Sequence, residues 1–375
     1  MHRAATLGTI SLCITLTRTL SAQQAPVATR QVNIPDEPTC VRCTITSRLL
    51  TTLVRNSGEG SIDRHPNTVR VDSRGRYWVL ISNEVPRVFD STGQFLKTVG
   101  TKGRGPGEFI EPMELAMIGG DSILLQDGRE SRATVISPSL VPVRSISTPW
   151  SYGRTMIFRW PDVAIANGTV PVPDRSDPPL HRVSFAQSPA AILGSFGPGR
   201  GNSRPGQNPS GWQQLSTPRG GMIWTADGAR YRLYHWKQDG TLLRVIERAP
   251  PWYHAPSELW LGNPTTPPPP QTAAIEEDDS GLLWVFVHVA APTWAEAWPK
   301  LAPGTREVSS SAIAYDKLFR TTVEVIDPTI GRVVARREFD KYILAALASR
   351  RAVTYSVDAD GLPRLEVLSL FLSPK

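Results

Sequence analysis

The chain has 375 residues, of which 40% are hydrophobic and 20% charged, with 34 Pro, 29 Gly, 11 Trp and only 3 Cys. That apolar content supports a large core and excludes intrinsic disorder; the proline excludes a coiled coil, and so few cysteines exclude a disulfide scaffold. The net charge of +7 comes from arginines scattered along the chain, without the basic stripe or module that nucleic-acid recognition needs, so no nucleic-acid partner is expected.

Met1-His2-Arg3 carry positive charge, an apolar stretch from Ala4 to Thr17 follows, and Leu20-Ser21-Ala22 closes it. This pattern reads as a secretory signal peptide over residues 1–22, cleaved near Ala22. No later apolar run reaches the roughly 18 residues of a spanning helix. The mature chain is therefore expected to be exported, periplasmic or extracellular, with no transmembrane segment. Residues 23–43 form a lead segment containing Cys40-Val-Arg-Cys43. Two cysteines this close in an export pathway read as a local disulfide. Thr44 stands where a haem-attachment motif needs histidine, and the histidines form no close pair that would complete a zinc site.

From Val69 onward the chain is self-similar. Val69-Arg-Val-Asp72-Ser-Arg-Gly75-Arg-Tyr-Trp78-Val is strand, turn, strand, and it returns as Gly119-Gly-Asp121-Ser-Ile-Leu124, Gly220-Gly-Met-Ile-Trp224 and Asp279-Ser-Gly281-Leu-Leu-Trp284. A second hairpin signature, Val88-Phe-Asp90-Ser-Thr-Gly93, recurs at Asp239-Gly240 and at Val325-Ile-Asp327…Gly331. A period near 46–50 residues with four short strands per unit predicts a β-propeller. The expected blades cover about 69–100, 112–148, 156–197, 213–248 and 272–340, with three strands of a sixth at 343–372. The missing outer strand is expected from Thr44–Val54, so that the two chain ends share one sheet and no radial seam stays open. The fold class is thus all-β, a six-bladed propeller of four-stranded antiparallel blades over residues 44–372. Long loop insertions are expected at about 250–271 and 288–318.

The chain resembles NHL-repeat and TolB-like six-bladed propellers, and most of all the exported bacterial six-bladed propellers of unassigned activity. The residues that carry the resemblance are Gly103-Arg-Gly105-Pro-Gly107-Glu-Phe109…Pro112, Asp72…Gly75-Arg-Tyr-Trp-Val79 and Val323-Glu-Val-Ile-Asp327…Gly331-Arg-Val-Val. It spans residues 40–372 and implies the fold, while such propellers host both binding and several chemistries.

In this architecture the crossovers between blades and the loops between second and third strands share one face. The unusual segments converge there, which makes Arg104, Glu108, Arg129, Trp252, Tyr253, His254, Trp260, Trp294 and Trp298 candidate ligand-binding residues. Aromatic rings mixed with charges suit a glycan, a peptide or an envelope protein. The competing expectation is that these rings pack the insertions onto the propeller. Trp150, Tyr152 and Trp212 also fall in crossovers, and Asn83-Glu84 with Arg129-Glu130 face the same way. No Gly-x-Ser-x-Gly elbow is present. Propeller lactonases hold a divalent cation with Glu, Asn and Asp in the channel, and here Glu114 is the one acid well placed on an inner strand. The sequence therefore favours a monomeric, non-catalytic binding or scaffold propeller without a cofactor. A metal-dependent hydrolase or lyase at the channel mouth is the alternative.

Overall fold

Asp72 shows how one repeat folds. Its Oδ1 accepts the backbone N–H groups of Arg74 and Arg76, both at 3.0 Å, and Oδ2 accepts the indole N–H of Trp78 at 3.0 Å. The carboxylate thus closes the turn and anchors the next strand's buried indole, while Gly75 takes the positive φ of 77° that the turn requires. Asp278 repeats the device with Ser280, Leu282 and Trp284, the indole N–H at 2.9 Å.

The computed structural model describes residues 30–53, 58, 60–150, 154–168, 180–198, 213–254, 265–299 and 312–374. These build the predicted six-bladed propeller. Five blades are contiguous four-stranded meanders, with first and last strands Thr68–Val71 and Phe95–Thr98, Pro112–Gly119 and Pro142–Ser147, Thr155–Arg159 and Ala191–Phe196, Gln213–Leu215 and Leu242–Glu247, and Gln271–Glu277 and Arg332–Phe339. The sixth joins Tyr342–Leu347, Arg351–Val357 and Pro363–Pro374 to Cys43–Thr52, which pairs antiparallel along the last strand and closes the ring.

Each of the six interfaces between neighbouring blades has its own apolar cluster, from Trp78, Val88 and Leu125 between blades 1 and 2 to Val79, Val353 and Leu365 between blades 6 and 1. Because a blade is covered on both faces, strands such as Tyr77–Leu80 and Leu283–Val287 are buried throughout instead of alternating. Among the described residues helix is confined to the fifth-blade insertion, where a 3₁₀ turn covers Trp294–Ala297 and an α-helical turn Tyr315–Leu318. Among the described residues no helix is long and apolar enough to cross a membrane.

The lead segment does more than the sequence indicates. Arg30–Asn33 adds a parallel fifth strand outside blade 4, pairing with Arg244–Glu247. The chain then crosses blade 5, where Thr39 N–H donates to Val333 O at 2.9 Å, passes the Cys40–Cys43 disulfide and enters blade 6. Gly331, at φ 68°, has no Cβ because Val32 lies 2.6 Å from where one would stand. Asp36 pins this strap. It accepts hydrogen bonds from Arg336, from Arg248 at 3.2 Å and from the Trp252 indole at 3.2 Å. The same two arginines meet the fully buried Glu324 at 2.9 and 2.7 Å, and Tyr231 donates its hydroxyl to Glu324. The predicted signal peptide, Tyr152, Trp212 and Trp260 lie outside the described residues.

Candidate functional site

The inner strands place four charged residues on the propeller axis. Arg70 in blade 1 and Glu114 in blade 2 form a bidentate pair with both N···O distances at 2.6 Å. Arg154, just before the inner strand of blade 3, reaches Glu276 in blade 5 at 3.3 Å and approaches Glu114 to 3.8 Å. Backbone groups complete the set: Leu115 N–H donates to Glu114 at 3.1 Å, Thr217 N–H to Glu276 at 2.9 Å, and Arg154 donates to Leu215 O. Burial first, then the charge of Arg70, holds the Arg154 guanidinium below its ordinary pKa, with Glu114 and Glu276 acting the other way.

This quartet divides the channel into two cavities of about 270 and 220 Å³, and Arg70 and Arg154 line both. Space exists in part because blades 5 and 6 bring several short side chains to the axis, Ala273, Ala274, Ala345, Ala346 and Ala348. The larger cavity opens to the crossover face and is lined by Asn67, Thr68, Met113, Asn167, Gln213 and Gln214. A relay orients one of these amides: Trp236 Nε1 donates to Thr225 Oγ1 at 3.1 Å, and that hydroxyl donates to Gln213 Oε1 at 3.0 Å. Nε2 is therefore the other end of the Gln213 amide, and it is buried without a hydrogen-bond partner among the described residues. Asn67 donates to Pro112 O at 3.2 Å and Asn167 to Gln213 O.

Asn67, Glu114 and Asn167 supply part of an oxygen donor set for a divalent cation, as the lactonase comparison requires. The electrostatics oppose it. Both oxygens of Glu114 are engaged by Arg70, and Arg154 adds a second positive charge beside them. Among the described residues no group of three or more His, Cys, Asp or Glu is arranged to hold a metal ion. The geometry suits an acceptor-rich ligand better than a cation.

The described residues predicted from the loops line neither of these cavities. Arg104, 74% exposed on its side chain, pairs with Glu130 at 3.4 Å on the crossover face. Glu108 accepts the Gly105 N–H at 2.7 Å, and Arg132 donates to the carbonyls of Arg104, Gly105 and Glu108, so the glycine-rich crossover is clamped by its own chain. Arg129 offers its backbone N–H to Asp127 at 3.1 Å. Glu84 lies 3.8 Å from Arg64 and 3.6 Å from Arg87, away from the channel lining. Trp252 sits over the Arg336 guanidinium at 5.1 Å, and Tyr253 is buried against Tyr231 at 5.1 Å between centroids. Trp294 and Trp298 pack onto the core between blades 6 and 1, and Trp150 is buried between blades 2 and 3. His254 is exposed. The rings thus serve mainly to seat the strap and the insertion on the propeller.

Beneath the insertion lies a ring cluster that sequence reasoning missed. His65 packs tilted 4.4 Å from Tyr315 and edge-on 4.7 Å from Tyr355, and His288 lies 4.8 Å from Tyr342 while its Nε2 bonds Ile343 O at 2.9 Å. Burial lowers the pKa of both histidines to about 4, with the charge of His288 adding to the effect on His65. Burial also raises the Tyr355 phenol to about 12.

No protein-family model matches the chain, and no curated protein sequence matches it. Solved structures do resemble it. A member of the DUF4221 family from Bacteroides vulgatus aligns over 88% of this chain and 97% of its own, with a TM-score of 0.56 and 11% identity. A protein from Bacteroides fragilis described as exported aligns over 92% and 100%, with a TM-score of 0.53 and 12% identity. At such identities the likeness is one of fold. Virginiamycin B lyase from Staphylococcus aureus, at a TM-score of 0.43 and 8% identity over 88% of this chain and 100% of its own, is too distant to bear on chemistry.

Proposed function

We propose that the protein is an exported, non-catalytic binding propeller whose ligand enters the crossover-face cavity of the channel. The observation that carries this reading is the Arg70–Glu114–Arg154–Glu276 quartet. Each carboxylate oxygen there accepts a hydrogen bond from within the protein, whereas the Arg154 guanidinium, which lines the cavity, keeps N–H donors that no described acceptor takes up. A carboxylate whose two oxygens are both taken by guanidinium and backbone donors is poorly placed to exchange a proton with a substrate, so it makes a poor general acid or base. The ligand class that fits is a sugar or the end of a peptide, rich in oxygen acceptors and small enough for about 270 Å³. Export is supported by the N-terminal leader pattern and by the description of the Bacteroides fragilis neighbour.

Methionine-methyl NMR tests the site directly, because Met113 lines this cavity and Met222 lines neither. Titrating envelope monosaccharides, disaccharides and short peptides into the purified protein should shift the Met113 resonance saturably for one class of compound. Gln214→Trp, at a half-buried lining position, should abolish that shift. A panel in which nothing moves Met113, or a shift that survives Gln214→Trp, counts against the reading, and turnover of any compound removes the non-catalytic part.

A further inference from the structure

The second cavity, on the opposite side of the quartet, opens to the face of the hairpin turns. Its chemistry differs from that of the first. The walls are Val71, Leu115, Met117, Met156, Ile157 and Leu347, and polarity is concentrated at one end, where Arg70, Arg154 and Glu276 form the floor. About 220 Å³ corresponds to roughly seven water molecules at liquid density. That volume admits a compact molecule and excludes a polymer.

The floor is asymmetric in its hydrogen bonding. Both oxygens of Glu276 accept, one from Arg154 and one from Thr217 N–H, and both oxygens of Glu114 accept as well. Among the described residues Arg154 by contrast directs hydrogen bonds only to Leu215 O and Glu276; its Nε is closed off by burial, and one N–H on each terminal nitrogen of the guanidinium is left unused. An apolar pocket ending in unused guanidinium donors matches a molecule with an apolar body and one anionic, acceptor-only head. We infer that this cavity is a binding site for a small amphiphilic monocarboxylate, distinct from the crossover-face site and independent of what that site binds. The head group meets Arg154 and Arg70, and the tail lies along Met117, Met156 and Leu347.

Hexanoate and 1-hexanol are the probes, with methyl-labelled methionine as the readout. Hexanoate should shift Met117 and Met156 saturably while leaving Met113 and Met222 in place, and 1-hexanol should need about tenfold more for the same shift. Ala348→Trp, at the half-buried rim, should remove the response, whereas Ala348→Ser and the crossover-face variant Gln214→Trp should retain it. Absence of any saturable shift at Met117 and Met156 up to about 10 mM hexanoate overturns the site. Equal response to 1-hexanol overturns the role of the guanidiniums, and loss of response in Gln214→Trp overturns the independence of the two cavities.

Discussion

Two regions of this molecule set a pair of arginines against a pair of carboxylates, and they are put to different use. At the rim, Asp36 and Glu324 face Arg248 and Arg336; on the axis, Glu114 and Glu276 face Arg70 and Arg154. The rim set is covered by its own chain. Arg248 also donates to Ile34 O and Pro35 O and lies 5.1 Å over the Tyr231 ring, while Trp252 covers Arg336. Burial opposes ionisation of Asp36, but Arg336, Trp252 and Arg248 outweigh it and hold the carboxyl below its ordinary pKa. Nε of Arg248 lacks a partner just as Nε of Arg154 does, so an unpaired N–H alone does not mark a site. What marks the axial set is open volume on both sides of it. Identical chemistry is a fastener where the chain closes around it and the border of open volume where short side chains leave room.

The comparison can be broken most sharply at Glu324. Glu324→Gln leaves two guanidiniums buried beside the strap without their shared carboxylate, and should cost about 3–5 kcal/mol in denaturant unfolding while exposing the amides of residues 30–36 to exchange. Glu114→Gln, next to a cavity that admits water, should cost less than half as much. Equal losses would show that the axial quartet is as structural as the rim one.

Acid titration separates both arginine sets from the ring cluster. His288 is buried and neutral, with a folded pKa of about 4 against 6.5 when unfolded. The unfolded chain therefore binds the extra proton between those values, and stability falls as pH drops from 6.5 to 4. The loss should reach about 2–3 kcal/mol by pH 4, with His65 adding to it. Asp36, whose pKa is depressed, loses its contribution only below the ordinary carboxylate range. His288→Phe should flatten the profile between pH 4 and 6.5; a profile unchanged by that substitution would show that His288 does not carry the acid loss. The smallest expected effect is on Arg154→Met, about 1 kcal/mol in stability because Glu276 keeps Thr217 N–H and cavity water. The same variant should lose the hexanoate response, so a large destabilisation there would erase the distinction.

Much of the fold was legible because a propeller repeats one local solution. The Asp–Gly turn with its downstream tryptophan, at Asp72 and Asp278, is a contact within six residues, and such contacts leave a pattern in sequence. The site was less legible. Glu114 stands out as an acid on an inner strand, and the alanines at 273, 274, 345, 346 and 348 are the sequence signal of axial space. Arg70, Arg154 and Glu276 carry no such mark, because each is a single charge whose partner lies on another blade. An indole that seats a strap reads in sequence like one that binds a ligand, and it is Asp36 and Arg336 beside Trp252 that place this one at the strap.

Turn-rich composition, the four-strand repeat and the N-terminal strand that completes the last blade were determined by the sequence alone, since each rests on local turn chemistry or on a period. The assembly of four distant charges on one axis, the parallel strap across blades 4 to 6 and the division of the channel into two unlike cavities were decided by tertiary structure. Closing six blades into a ring brings every inner strand to a common centre, and what meets there depends on which side chain each blade happens to present.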